Sequence, residues 1–390
     1  MINMNLDRER SSRSLTAVGA AIALLLCAHA ASAAAPTREQ AKRMFDRIAG
    51  VPATEPQLDA MVATSDPVQA ALIATEDPAF YNVTLKNFVT PWTNRDQTVF
   101  APLNDYTATV IGMVRDDVPF NTALSADILY TVSASGLPAV SASNNDHYAA
   151  AETQGVNLKA ALTKNAQSAV YGIPAAGTAG LITTRAASEA FFIAGTNRAM
   201  FRFTMVNHMC RDMEQLHDTS RPPDRIRQDV SRSPGGDSRL FLNNCIGCHS
   251  GMDPMAQAFA YYTFDETAGK LVYTPGVVQA KYFINSDNFK PGFVTPNDDW
   301  ENRWRHGQNS IYNFPAGTGK GSGAKSLGDE IANSEQFAQC QVEKVFKAVC
   351  FRAPTGSDVD QVKDIRGHFI ASNFKLKQVF AETANVCKGQ

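Results

Sequence analysis

A short run of cysteine and histidine constrains this chain more than any other feature of its sequence. Residues 245–249 read Cys-Ile-Gly-Cys-His, the C-x-x-C-H pattern to which c-type haem is attached. In that pattern Cys245 and Cys248 form thioethers with one porphyrin, and His249 binds the iron as its proximal ligand. The alternatives are a redox pair of the thioredoxin type, half of a zinc site, or two buried cysteines beside an unrelated histidine. We expect one covalently bound haem c at these three residues.

The N-terminal residues have the composition of a secretory signal. Arg8, Arg10 and Arg13 precede a short apolar run, and the small residues at 31–33 resemble a cleavage site. We therefore predict a signal peptide over residues 1–33 and a mature bacterial protein that is periplasmic or secreted. This agrees with haem c attachment, which in bacteria takes place outside the cytoplasmic membrane. No helix-length apolar run follows, so the mature chain is not expected to contain an integral membrane span.

The overall charge narrows the choice of partners. The chain has 390 residues, 19% of them charged, and a formal net charge of −2. A chain without a basic excess is not expected to bind nucleic acid. If haem is present, the expected partner is a redox protein of unknown identity.

Four further cysteines of the mature chain form an even set, namely Cys210, Cys340, Cys350 and Cys387. In an oxidising compartment they predict two disulfides, with three possible pairings. Cys340 and Cys350 lie on one predicted helix with a rise of about 15 Å between them, which is too far for a disulfide. Of the two remaining pairings we favour Cys350 with Cys387 and Cys210 with Cys340.

Hydrophobic periodicity predicts a mainly α-helical fold. We expect a helical but partly irregular N-terminal region over residues 34–198 and a haem-binding, cytochrome c-like domain over 199–390. Within that domain, residues 265–328 are predicted to be a loop-rich insertion and 329–387 to form antiparallel C-terminal helices. The clearest helical face there consists of Val342, Val345, Phe346 and Val349.

The second axial position of the iron has no obvious ligand in the sequence. No methionine follows Met255, although small cytochromes use a methionine well after the haem motif. His208 is the favoured candidate because it lies on a predicted helix that precedes the motif. An open site remains possible, as do other side chains, namely Met200, Met205, Met209, Met213 and His306.

Several blocks of residues occur in an order that one bacterial family shares. They are Gly180-Leu181-Ile182-Thr183, Asn197-Arg198-Ala199, the haem motif with Met252-Asp253-Pro254 and Phe264-Asp265, and Ser326-Leu327 through Ser334 to Phe337 and Cys340. Over residues 110–387 the chain thus resembles the planctomycete-type cytochrome c domain proteins, a group of uncertain function. The resemblance implies a mostly helical fold with one covalent haem, but no substrate. The family's Gly-x-Trp-Arg after Phe264-Asp265 is missing here, and residues 266–316 resemble an insertion.

Three functions are compatible with this sequence. The first is electron transfer by an exported mono-haem c-type cytochrome. The second is a haem enzyme, such as a peroxidase or an oxidase subunit, whose distal site is open. The third is a binding or assembly protein in which haem is structural. The sequence lacks a convincing distal acid–base pair and a Gly-x-Ser-x-Gly elbow, which favours an electron carrier over a catalyst.

Overall fold

Helices dominate the part of the chain that the computed structural model describes, residues 34–193 and 195–389. The mainly helical fold expected from the sequence is confirmed for these residues. The predicted signal peptide, residues 1–33, lies outside them. None of the helices described is both long and apolar enough to cross a bilayer.

Ten α-helices lie in the described chain up to Met209. They are α1 (Arg38–Ala49), α2 (Glu55–Val62), α3 (Pro67–Ala74), α4 (Lys86–Val89), α5 (Asp105–Arg115), α6 (Asp146–Thr153), α7 (Leu158–Ala161), α8 (Gln167–Tyr171), α9 (Arg185–Phe191) and α10 (Arg198–Met209). Six more lie around the motif or after it. They are α11 (Ser238–Leu240), α12 (Ile246–Ala256), α13 (Gly323–Ala332), α14 (Glu335–Cys350), α15 (Val359–Ala371) and α16 (Leu376–Val386).

The described strands are short and form three antiparallel pairs. They are β1 (Leu129–Val132) with β2 (Leu162–Asn165), β3 (Tyr262–Asp265) with β4 (Lys270–Tyr273), and β5 (Asp299–Glu301) with β6 (Lys320–Ser322). The range 265–328, predicted to be loop-rich, thus contains β4, β5 and β6. Helix α13 begins at Gly323, so the C-terminal helices begin earlier than the predicted position 329.

Local sequence signals explain how the first helix begins and ends. The Thr37 side chain accepts a hydrogen bond from the backbone N–H of Gln40, whose side chain bonds back to Thr37 in a capping box. Gly50 ends α1 in a left-handed conformation, with φ of 74°. Between these caps the buried face of α1 consists of Ala41, Met44, Phe45, Ile48 and Ala49.

The two ends of the described chain pack together. Helices α1 and α3 contact α16, which in turn packs on α14 and α15. Phe80 and Phe380 meet edge to face with ring centroids 5.1 Å apart, and Arg47 donates a hydrogen bond to the Cys387 carbonyl over 2.8 Å. One continuous apolar core therefore runs from Ala41 to Ala384.

Two disulfides join the cysteines in the pairing that the sequence favoured. Cys210 is bonded to Cys340 with Cα atoms 5.3 Å apart, and Cys350 to Cys387 with Cα atoms 5.6 Å apart. Since Cys350 ends α14 and Cys387 caps α16, these two helices end on the same side of the molecule. The other bond ties the end of α10 to the middle of α14.

Helix α12 is packed closely against its neighbours at two glycines. A Cβ atom on Gly251 would lie 2.0 Å from Nε1 of Trp304, which is fully buried. A Cβ atom on Gly247 would lie 2.5 Å from Nε2 of His217. Close packing therefore limits the size of the side chain at Gly247, between the two motif cysteines, and at Gly251, just after the motif.

Candidate haem-binding site

The motif lies where an irregular helical turn becomes a regular helix. Phe241–Cys245 forms a π-helical turn, and Ile246 begins α12 directly after it. Such turns are rare and occur often at functional sites. Because Cys245 and Cys248 are three residues apart on one helical turn, their thiols lie on the same side of the helix. The structure thus brings Cys245, Cys248 and His249 together.

The two thiols are available for covalent attachment. Among the cysteines that the structure describes, Cys245 and Cys248 are reduced and partly exposed, whereas the other four form disulfides. The Cys248 Sγ donates a hydrogen bond to the Met213 carbonyl over 3.3 Å. Burial raises the pKa of the Cys248 thiol, and the neighbouring Cys245 adds to this increase.

The surface around the thiols is apolar. Cys245 and Ile246 pack against a small buried cluster formed by Ile226, Val230 and Phe241. On the turn before the motif, Leu240 and Leu242 are 43% and 54% exposed. A porphyrin bound at the thiols would find apolar side chains to cover, in keeping with the composition of cofactor pockets.

The orientation of His249 is fixed by a carboxylate one helical turn later. Its Nδ1 lies 3.2 Å from both carboxylate oxygens of Asp253, and the side chain is 19% exposed. The Nδ1–H donor therefore has a partner, and the described residues provide no hydrogen-bond partner for Nε2. This tautomer leaves the Nε2 lone pair available for a metal ion.

Asp253 belongs to a buried network of charges. Its side chain is 0% exposed and accepts hydrogen bonds from Arg198 over 2.8 and 3.0 Å. Arg198 also binds Asp229 over 2.7 and 3.0 Å, and the Arg227 guanidinium lies 3.7 Å from Asp253. Burial raises the pKa of Asp253, but the positive charges of Arg198 and Arg227 and the bond from His249 outweigh it. The pKa is held well below its usual range, so Asp253 is a carboxylate at neutral pH.

These features fit a c-type haem at the motif. Two reduced thiols lie on one turn beside apolar surface, and the adjacent imidazole has one nitrogen fixed and the other available. In the described part of the chain, no group of three or more His, Cys, Asp or Glu side chains is arranged to hold a metal ion. Haem iron takes most of its ligands from the porphyrin and needs only one or two from the protein, so this observation does not bear on haem.

His208 lies in the core among aromatic side chains. Its Nε2 is 2.9 Å from the Tyr106 hydroxyl, and its ring contacts Trp92 edge-on and Phe337 in a stacked arrangement. Burial, with a contribution from the charge of Lys344, lowers the pKa of His208 well below its usual value, so the imidazole is neutral. The cavity beside it has a volume of about 10 Å³, whereas ligand pockets usually have about 300 Å³ or more.

Among the residues that the structure describes, none of the haem motif contacts His208. Its assignment as distal ligand stays a prediction that this geometry does not favour. Of the alternatives, His306 is exposed, and Met200, Met205 and Met209 are buried in the main core. Met213 is a candidate that touches the motif, through the bond between its carbonyl and Cys248.

Sequence reasoning missed two neighbours of the motif. Asp253 could have been found, because positions i and i+4 share a helix face and place it beside His249. His217 could not, because it precedes Cys245 by 28 residues in a segment without helical periodicity. Its ring nevertheless lies against Gly247, between the two cysteines.

Comparison with known proteins gave no match to any protein-family model, curated protein or solved structure. The resemblance to the planctomycete-type cytochrome c domain proteins therefore stays a prediction that rests on the motifs. The function has to be argued from the site itself.

Proposed function

We propose that this protein is an exported mono-haem c-type cytochrome that carries single electrons. The observation that carries the proposal is the arrangement of two reduced thiols on one helical turn beside His249, whose Nδ1 is fixed by a buried carboxylate. Haem c bound there would supply one-electron exchange between Fe(II) and Fe(III). Two disulfides support an oxidising compartment, either the periplasm or the exterior.

The chain's own side chains have distinct tasks in this proposal. Cys245 and Cys248 would hold the porphyrin covalently, and His249 would provide a nitrogen ligand for its iron. Leu240 and Leu242 offer apolar contact that reduces the access of water to the ring. A partner redox protein would dock on the surface around the motif, and nucleic acid is not expected as a partner.

Loss of both motif thiols should abolish covalent haem. We expect the full chain, expressed with a haem c maturation system, to keep haem on a denaturing gel and to yield a haem c pyridine haemochrome. The variant Cys245→Ala/Cys248→Ala should lose both signals, because no other described cysteine is reduced. Its far-UV circular dichroism should stay helical, because both disulfides are retained.

One control variant and two contrary outcomes make this experiment decisive. His368→Ala changes an exposed histidine that pairs with Glu382, and it should keep the covalent haem. A parent protein without haem after maturation would overturn the proposal, as would haem retained in the double cysteine variant.

The distal position is tested by the absorption spectrum of the haem-loaded protein. A role of His208 as ligand requires a low-spin spectrum that becomes high-spin in His208→Ala. The enclosure of His208 by Tyr106, Trp92 and Phe337 leads us to expect an unchanged spectrum and a lower stability instead. Tyr106→Phe, which removes the hydroxyl partner, is the matched control. A change to high spin in His208→Ala alone would restore His208 as the distal ligand.

A haem enzyme such as a peroxidase is the second candidate, and one contact favours it. The Asp253 carboxylate would make the imidazole of His249 a stronger electron donor, and a bound haem would supply the peroxide chemistry. This function requires an open distal position. High-spin, five-coordinate iron that binds carbon monoxide in the parent protein would favour the enzyme, and low-spin iron that does not bind it would favour the carrier.

A further inference from the structure

The network behind His249 contains four largely buried charged side chains, namely Asp253, Arg198, Arg227 and Asp229. Asp253 faces His249 on one side and the guanidinium of Arg198 on the other. The Arg227 backbone N–H adds a further hydrogen bond to Asp253 over 3.3 Å. Asp229 binds the far side of Arg198. Each of these contacts restricts Asp253, which therefore cannot rotate away from the imidazole without leaving a buried charge unpaired.

A carboxylate at Nδ1 has two effects on an imidazole ligand. It fixes the tautomer and the rotation of the ring, and it increases the basicity of Nε2. A buried negative charge also stabilises the more positive Fe(III) state over Fe(II), because charges are poorly screened inside a protein. Arg198 and Arg227 oppose the second effect by balancing part of the charge of Asp253.

We infer that Asp253 is a positioning residue that orients His249 and lowers the reduction potential of the haem, while Arg198 holds Asp253 in place and limits that decrease. This inference rests on the proposed function, since it concerns a haem bound at Cys245, Cys248 and His249. The charge pair Asp253–Arg198 would thereby influence which redox partners can exchange electrons with the protein.

The test is the midpoint potential of haem-loaded Asp253→Asn. The asparagine keeps the size of the side chain and an oxygen that accepts the His249 bond, but it removes the charge. We expect the equilibrium between oxidised and reduced protein to shift towards the reduced form by about tenfold, which is about 59 mV for one electron. Support of protein structure alone would not move the potential in haem-loaded, folded protein.

Asp229→Asn is the matched control. It removes a carboxylate that binds the same arginine but has no contact with His249, so the shift should be well below tenfold. If Asp253→Asn does not fold, the charge-balanced variant Arg198→Gln/Asp253→Asn replaces it, because removing both partners of a buried pair is tolerated better than removing one. The reduction potential of this double variant should still exceed that of the parent, since the basicity of His249 remains reduced.

The outcomes separate this inference from the proposed function. A parent protein without covalent haem overturns the proposed function and this inference with it. Haem-loaded Asp253→Asn with the potential of the parent, or with the shift of Asp229→Asn, overturns the inference alone. A larger increase in Asp253→Asn than in Asp229→Asn supports it.

Discussion

Replacement of Cys210 and Cys340 by alanine is expected to lower the free energy of unfolding by about 5 kcal/mol, according to the chain-entropy treatment of disulfides. The bond closes a loop with a sequence separation of 130 residues. A loop of that length gives the unfolded chain many conformations once the bond is lost. Urea denaturation followed by circular dichroism under oxidising conditions would measure the change.

The second disulfide provides the comparison. Cys350 and Cys387 close a loop with a separation of 37 residues, for which the same treatment gives about 4 kcal/mol. Cys350→Ala/Cys387→Ala should therefore destabilise the chain less. A loss below about 1 kcal/mol for Cys210→Ala/Cys340→Ala would contradict the chain-entropy reasoning for this protein.

The longer loop also matters for the candidate site. Cys210 precedes the segment that lies against the motif, in which the Met213 carbonyl accepts the bond from Cys248. In the same segment the Asp218 backbone N–H donates to the Gly247 carbonyl over 3.1 Å. Loss of the bond at Cys210 should loosen this support. We therefore expect Cys210→Ala/Cys340→Ala to carry less covalent haem than Cys350→Ala/Cys387→Ala.

The features predicted well from the sequence are those with a local signal. Helical periodicity identified the apolar face of α14, and Val342, Val345, Phe346 and Val349 are all buried. One distance along that helix excluded one of the three disulfide pairings, because Cys340 and Cys350 are too far apart to bond to each other. Both inferences needed only the rise and the period of an α-helix.

The features that sequence did not predict depend on contacts between distant segments. Arg198 lies 55 residues before Asp253, and no pattern in the sequence marks them as partners. Trp304 packs on Gly251 from the segment predicted to be a loop-rich insertion. Such contacts are set by tertiary packing, which local propensity does not encode.

The placement of His208 illustrates the same limit. A histidine on a helix before the motif is compatible with a haem ligand and with a core residue. Its partners Tyr106 and Trp92 belong to segments about 100 residues earlier in the chain. The sequence therefore contained no signal that would have separated the two roles.

Arg198→Met should destabilise the protein by about 3 kcal/mol or more, the largest effect that we expect from a single substitution. Methionine retains much of the length and helix propensity of arginine, so the change removes the charge and the hydrogen-bond donors with little effect on the helix itself. Asp253, with a side chain that is 0% exposed, would lose its two strongest hydrogen bonds, and Asp229 would lose both of its bonds to this arginine. Removing one partner of a buried ion pair costs about 3–5 kcal/mol. The 22% exposure of Arg198 and the remaining contact of Asp253 with Arg227 place our expectation near the lower value.

One turn later on the same helix, Arg202 offers a matched comparison for this prediction. Arg202 also binds an aspartate through two hydrogen bonds, to Asp212 over 2.7 and 2.6 Å, but the two side chains are 50% and 39% exposed. Solvent can replace these bonds, so Arg202→Met should cost about 1 kcal/mol or less. The two variants remove the same charge from the same helix and differ mainly in burial. If both variants lost the same free energy of unfolding in urea denaturation, burial would not strengthen the bonds of Arg198. There would then be no reason to expect that Asp253 is rigidly held.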